Sequence, residues 1–292
     1  ITCRDWSSDV CSSDLIGRFS LDNVEMIALN NGQSDQIFQP ARMFASAALL
    51  QIRTVTPRFE DKKTWQGKVG LKSGSFGLFN PAFRLQHKIN RVFSADLSGE
   101  WLTAHGQYPY LLDYSYLGSG LTSKEIRKNT DVSNLRLETT LYANLTERES
   151  AYLKAYLYTS ERGLPGSTIL YNTDNFSSQR MEDRTFFVQG HYEKDLSDLF
   201  SMQLNAKYHH GYMHYSDTTY LNELGRMESF FRQNEYYGSV AMLYHASRNL
   251  SFSFAADGFV NQMQARFETP ELSDAFAKPV RNSLLSVLAA KF

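Results

Sequence analysis

The sequence predicts an all-β fold, a membrane-spanning antiparallel up-and-down β-barrel, with about ten strands in a curved sheet. Three observations carry that expectation. Polarity alternates with period two along segment after segment, as in a strand with one apolar face. Each alternating segment runs to roughly ten residues or more, the length a tilted strand needs to cross a bilayer, whereas strands of soluble sheets usually stop at about 5–6. Short and long connections also take turns along the chain, as they do in barrels with short turns on one side of a membrane and long loops on the other.

The cleanest alternation spans Leu250 to Val260. Leu250, Phe252, Phe254, Ala256, Gly258 and Val260 share one face, and Ser251, Ser253, Ala255, Asp257 and Phe259 the other. In Asn134 to Leu145, Leu135, Leu137, Thr139, Leu141, Ala143 and Leu145 oppose Arg136, Glu138, Thr140, Tyr142 and Asn144. Ala151 to Tyr158 sets Leu153 and Leu157 against Lys154 and three tyrosines, and Phe200 to Tyr208 sets Met202 and Leu204 against Gln203, Asn205 and Lys207. Extended along the chain, the pattern places strands at 64–76, 82–90, 92–104, 132–145, 150–160, 185–194, 199–215, 235–246, 250–268 and 282–292. Ile89 to Arg91, Thr146 to Ser150, Asp195 to Asp198 and Ser247 to Asn249 are the short connections. Gly106 to Thr130, Glu161 to Arg184, Asp217 to Asn234 and Thr269 to Arg281 are the long polar ones.

Composition agrees. The chain is 42% hydrophobic, yet no stretch approaches the roughly 18 apolar residues of a spanning helix. Aromatic residues make up 14%, with 17 Tyr and 20 Phe, as expected of girdles at two membrane interfaces. The mean hydropathy of −0.40 is compatible with a wall whose strands are half polar. A net charge of −1 gives no basic patch for nucleic acid. The cysteines, Cys3 and Cys11, lie in a run, Asp5 to Leu15, that resembles a translated sequencing adapter, so residues 1–15 are expected to be an artefactual leader and are excluded from fold reasoning. The remainder then holds no disulfide, CxxC site or thiol nucleophile.

Residues 16–57 read differently, with two short apolar strands, Val24 to Leu29 and Leu49 to Arg53, flanking a Gly/Ser/Gln/Asn loop that contains Pro40. Residues 58–292 are expected to be the barrel segment, with Val55 to Lys63 as the link into it.

A small globular tail, a linker and then long alternating strands is the order found in TonB-dependent outer-membrane receptors, whose barrel is filled by a plug domain. Asn23-Val24-Glu25-Met26-Ile27 resembles a strand of the plug, and Leu49-Leu50-Gln51-Ile52-Arg53-Thr54 resembles the plug's closing strand. The arginine-glycine-proline signal between them is absent, and Asn30-Asn31-Gly32 stands in its place. Ser160-Glu161-Arg162-Gly163-Leu164-Pro165-Gly166 closely resembles a segment that follows an upward strand in one branch of the family. The resemblance implies the end of a plug followed by about ten of the family's 22 strands, cut at both sides, with Phe292 a truncation point although a terminal Phe also closes many complete barrels. It further implies active uptake of a scarce nutrient, such as a metal chelate, a corrinoid or a glycan. The partners implied are outer-membrane lipid, the TonB complex through a segment preceding residue 16, a small-molecule or oligosaccharide substrate, and a surface lipoprotein. A passive porin-like or small complete outer-membrane barrel is the alternative, and a secreted soluble glycan-binding β-protein the second.

No side chains are expected to be catalytic, to ligate a metal or to bind a cofactor. His209 and His210 point to opposite faces of a strand, and His214 lies about 13 Å from His210 at roughly 3.3 Å per residue, so they cannot converge on one ion at about 2.1 Å. With Tyr208, Tyr212 and Tyr215 they read as a belt near the outer interface. Asp96, Glu100 and Glu138 read as inward carboxylates paired with Arg136 or Lys154. Ligand contact is expected of Tyr108, Tyr110, Tyr114 and Tyr116, because exposed loop tyrosines offer rigid surface with a polar tip. Glu161 and Arg162 are candidates beside them, next to a Gly-Leu-Pro-Gly turn.

Overall fold

A computed structural model describes residues 20–31, 36–45, 48–60, 63–113, 122–166, 178–220, 224–268 and 278–292. The adapter-like residues 1–15, with Cys3 and Cys11, and the loop residues Tyr114 and Tyr116 lie outside the described residues.

A ten-stranded antiparallel sheet dominates, in the order β14-β13-β12-β11-β10-β9-β8-β5-β4-β3. Its strands are β3 (Trp65–Gly74), β4 (Leu78–Lys88), β5 (Phe93–Ala104), β8 (Val132–Thr146), β9 (Glu149–Gly163), β10 (Arg180–Asp195), β11 (Phe200–Asp217), β12 (Met227–Ser247), β13 (Leu250–Phe267) and β14 (Val280–Lys291). Each strand pairs with its sequence neighbour except across one interruption, where β5 meets β8 and the intervening β6 (Pro109–Asp113) and β7 (Thr122–Ile126) form a hairpin of their own. N-terminal to the sheet, β1 (Val24–Asn31) and β2 (Ala48–Thr54) form a second hairpin, with the single turn α1 (Ala41–Phe44) between them.

The expected strands are all present, but several run further. β9 continues through Gly163, β10 begins at Arg180 and β12 at Met227, so Glu161 and Arg162 are strand residues rather than loop residues. Their outward positions become charged there (Glu161, Arg180, Glu182, Arg184, Glu228, Arg232), which ends the hydropathy alternation while the backbone ladder continues. A strand that leaves the bilayer stays paired in water because the ladder, not the apolar face, satisfies its N–H and C=O groups.

The two faces of the sheet are inverted relative to a soluble protein. Among the described residues, eighteen polar or charged side chains are buried against eight apolar ones. Asp257 is 1% exposed while Leu284 on the opposite face of the neighbouring strand is 81% exposed. Leu97, Leu135, Leu141, Leu153, Phe186, Leu204, Phe252, Phe254 and Leu288 all stand on this outward apolar face. A soluble sandwich hides such residues between its sheets, and only a hydrocarbon solvent makes the reverse arrangement favourable. Outward rings cluster toward the strand ends, with Trp65 stacked on His87 at 3.8 Å and Phe79 edge-on to Trp101 at 6.0 Å.

Leu204→Arg, on the outward face of β11, is expected to cost the refolded barrel about 2–4 kcal/mol in urea titration from vesicles. Gln203→Arg, one residue along on the opposite face, should stay within about 1 kcal/mol. Equal costs at the two positions would contradict this assignment of faces.

Candidate functional site: the covered polar face

The polar face of the sheet is not empty, because the N-terminal hairpin lies on it through two separate anchors. The first gathers around Glu138 on β8. Glu138 Oε1 accepts from Lys154 Nζ on β9 at 2.8 Å and from Asn23 Nδ2 at 2.8 Å. The same lysine donates to Thr54 Oγ1 at 3.0 Å, and Asn23 also donates to Ser98 Oγ on β5 at 3.1 Å. Both ends of the hairpin, Asn23 before β1 and Thr54 closing β2, are thereby tied to one ion pair whose side chains are only 4% and 10% exposed. Further along, Arg84 binds Asp96 at 2.7 Å and the Val55 carbonyl at 2.5 Å, and Arg136 faces Glu100 at 3.1 Å.

The second anchor is Asp257 on β13. Its carboxylate accepts from the backbone N–H of Ala41 at 3.0 Å, from that of Arg42 at 2.9 Å and from the Tyr237 hydroxyl at 3.1 Å. These are N–H groups at the start of α1, which have no partner within the helix. The Arg42 guanidinium sits 4.0 Å above the Tyr237 ring, and Ala41 packs against Ala241 and Ala255 without exposed surface. Between the anchors, toward the short turns, a cleft of about 820 Å³ is lined by Arg42, Arg53, Tyr142, His191, Gln203 and Lys207 among others.

The carboxylates read from the sequence fall on this face as expected. Glu138 pairs with Lys154 and Glu100 with Arg136, but Asp96 pairs with Arg84, and all three are buried under the hairpin rather than solvated. Glu161 and Arg162 do not share a site, since neighbouring residues of a strand point to opposite faces. Arg162 turns to the polar face and binds Asp183 at 2.6 Å; Glu161 turns outward to Arg180 at 3.2 Å. Tyr108 is 42% exposed and sits 6.3 Å from Tyr110 and 6.1 Å from Phe76, ring to ring. Phe76 has a left-handed backbone, φ 62°, and its carbonyl accepts from both His105 and Gly106 at 3.1 and 3.2 Å.

The expected belt is split. Tyr208 and Tyr212 face outward, whereas Tyr215, an odd number of residues away, faces the polar side. His210 Nδ1 lies 2.8 Å from Asn234 Oδ1, and His214 stacks on Phe230 at 4.3 Å between Glu182 and Glu228. Among the described residues no three His, Cys, Asp or Glu side chains are grouped to hold a metal. Asp257 was legible from its polar-face position in the alternation of β13, but two of its three partners are backbone N–H groups on α1, for which no side-chain pattern exists.

These features define a wall of a membrane-spanning β-barrel, with an inner face polar and an outer face apolar. No family profile and no curated protein matches the sequence. Among solved structures the fold is similar to the copper transporter OprC, with a TM-score of 0.60 at 15% identity over 90% of this chain and 38% of that one. It is also similar to the siderophore receptor PiuA of Acinetobacter baumannii, with a TM-score of 0.59 at 10% identity over 90% of this chain and 42% of that one. The chain thus spans about 38–42% of the length of these two proteins.

Lys154→Met is expected to destabilise the hairpin–wall junction by about 3–5 kcal/mol, because Glu138 stays buried without its cation. Adding Glu138→Leu should restore most of the loss, read as the urea midpoint of the folded barrel. A double variant no better than the single one would show that the pair does not act as a unit. At the mouth, Asp131 receives the Arg180 guanidinium at 2.7 Å, and that hydrogen bond holds its carboxyl below the ordinary carboxylate range. A depressed carboxylate contributes stability that is complete above its unfolded pKa of about 3.9 and is lost as pH falls through the lower folded value. Protection of the β8–β10 loop bases against hydrogen exchange is therefore expected to be flat above about pH 5 and to weaken in the acid range below. Asp131→Asn should abolish the acid step, and an unchanged profile in that variant would assign the step elsewhere.

Proposed function

We propose that this chain is the end of the plug and the first ten strands of a TonB-dependent outer-membrane receptor, which takes up a scarce nutrient actively. The observation that carries the reading is the hairpin seated on the inner wall by the Glu138–Lys154–Asn23–Thr54 cluster and by Asp257. A passive pore has no use for a charged, buried tether across its lumen. An occluding element that must be held and later displaced needs contacts of this kind, strong when dry and exchangeable once water enters.

In this reading residues 16–57 close the plug and 58–292 begin the barrel, whose remaining strands and TonB-contacting segment lie outside this sequence. Ligand arrives at the side of the long loops and meets Tyr108 and Tyr110 there; Tyr114 and Tyr116, outside the described residues, are assigned the same role. Arg162 serves the inner rim through Asp183, and Glu161 holds the loop base from outside through Arg180. The similarity to a copper transporter and to a siderophore receptor supports uptake and leaves a metal chelate, a corrinoid and a glycan as substrate classes. Among the described residues, the wall's Asp96, Glu138 and Asp257 are already bound to arginine, lysine or backbone N–H groups.

The test is uptake by the full-length protein in cells with and without TonB. Loss of uptake without TonB, or on collapse of the inner-membrane proton gradient, is expected; uptake at an unchanged rate would replace the receptor with a passive pore. In the same cells Tyr108→Ala with Tyr110→Ala is expected to weaken ligand binding by about tenfold, or about 1.4 kcal/mol, and unaltered affinity would remove these tyrosines from the ligand surface.

A further inference from the structure

The outward face of β10 to β13 changes character just above its apolar band. Val188, Tyr208, Tyr236 and Val260 stand side by side in register, and one step further out come Phe186, His210, Asn234 and Gln262. The next row is Arg184, Tyr212, Arg232 and Gln264. The two guanidiniums flank a single ring, Arg184 at 5.7 Å and Arg232 at 5.9 Å from Tyr212. Their strands lie two ladder spacings apart, roughly 10 Å.

Both arginines are exposed. Arg184 meets Glu182 on its own strand at 2.5 Å, with a side chain still 62% exposed, a kind of pair that is worth little in water. Arg232 meets no carboxylate among the described residues, and neither does the exposed Arg266, one row further out on β13. The acids nearest the row, Glu182 and Glu228, flank His214 on the side away from the membrane.

An unpaired guanidinium next to a hydrocarbon boundary is costly unless it binds an anion that shares the boundary. We propose that Arg184 and Arg232, spaced by Tyr212, form a binding site for the phosphate-bearing headgroup of an outer-leaflet lipid, with Arg266 as an outer contact. The acyl chains then run down the outward apolar surface of Phe186, Val188, Tyr208, Tyr236 and Val260, of which Phe186 and Tyr236 are exposed and the rest half-buried. Guanidinium forks suit phosphate because two parallel N–H groups meet two oxygens, and the ring between them keeps the two forks apart. The site rests on the outer-membrane reading of the fold and not on transport.

The experiment is purification of the full-length protein from outer membranes in mild detergent, followed by mass spectrometry of bound lipid. The wild-type protein is expected to retain phosphate-bearing lipid, and Arg184→Ala with Arg232→Ala to reduce that retention at least tenfold. Arg184→Lys with Arg232→Lys keeps the charge and should retain an intermediate amount, which also covers the case in which the alanine variant does not assemble. Equal retention in all three proteins would overturn the site. Displacement of the lipid by millimolar inorganic phosphate would reassign it to free anions. Heat-modifiable gel mobility is read in parallel: its absence in the wild-type protein would sink the barrel reading itself, whereas its presence with unchanged lipid would sink only the arginine site.

Discussion

A backbone amide in hydrocarbon has no water to bond, so every N–H and C=O of a membrane-crossing segment must find its partner within the protein. The ten-stranded ladder satisfies that demand strand by strand, and much else in this chain follows from it. Because the ladder takes care of the backbone, side chains are free to sort by face: leucine and phenylalanine outward, carboxylates and lysine inward. The outer edges of the ladder, β3 and β14, each have one neighbour in the sheet. In the proposed receptor further strands pair with both, since an open edge is as unfavourable in lipid as it is prone to aggregate in water.

The inverted sorting creates a second problem, which the N-terminal hairpin resolves. A wall lined with Glu100, Glu138, Asp96 and Asp257 is comfortable in water but costly once covered. The hairpin covers it, and each carboxylate is met by a donor: Arg136, Lys154, Arg84, or the first N–H groups of α1. The result is a buried interface that is polar rather than oily. An apolar interface would be held by area and resist hydration, whereas this one is held by a handful of directed bonds that water can replace. In the proposed receptor, that distinction would let the covered lumen open again.

The strands were legible because alternation is a local property, repeated along each crossing. Their upper ends were not, because above the membrane both faces are polar and hydropathy carries no period; Glu182 and Arg184 look like loop residues until their partners on β9 and β11 are known. The Glu138–Lys154 pair was readable as two same-face residues on adjacent strands. Asp257 with Ala41 was not, since the contact joins residues 216 apart and one side of it is a backbone N–H. The belt of Tyr208, Tyr212 and Tyr215 near the outer interface splits between the faces, because counting by twos from Tyr208 turns Tyr215 inward.

The same counting separates the charges of the outer rim into two populations with different physics. Inward Arg162 lies against Asp183, its side chain 20% exposed, so its interaction is only weakly screened and it acts as part of the wall. Outward Arg180, Arg184 and Arg232 face solvent or headgroups, where an isolated ion pair contributes little but a shared row can organise an anionic layer. A Glu-Arg dipeptide such as Glu161-Arg162 therefore serves two environments at once. One residue closes the inner rim and the next ties the loop base outside, and no single ligand can touch both. Strand geometry, more than residue type, decides which charges face the inside of the wall and which face outward.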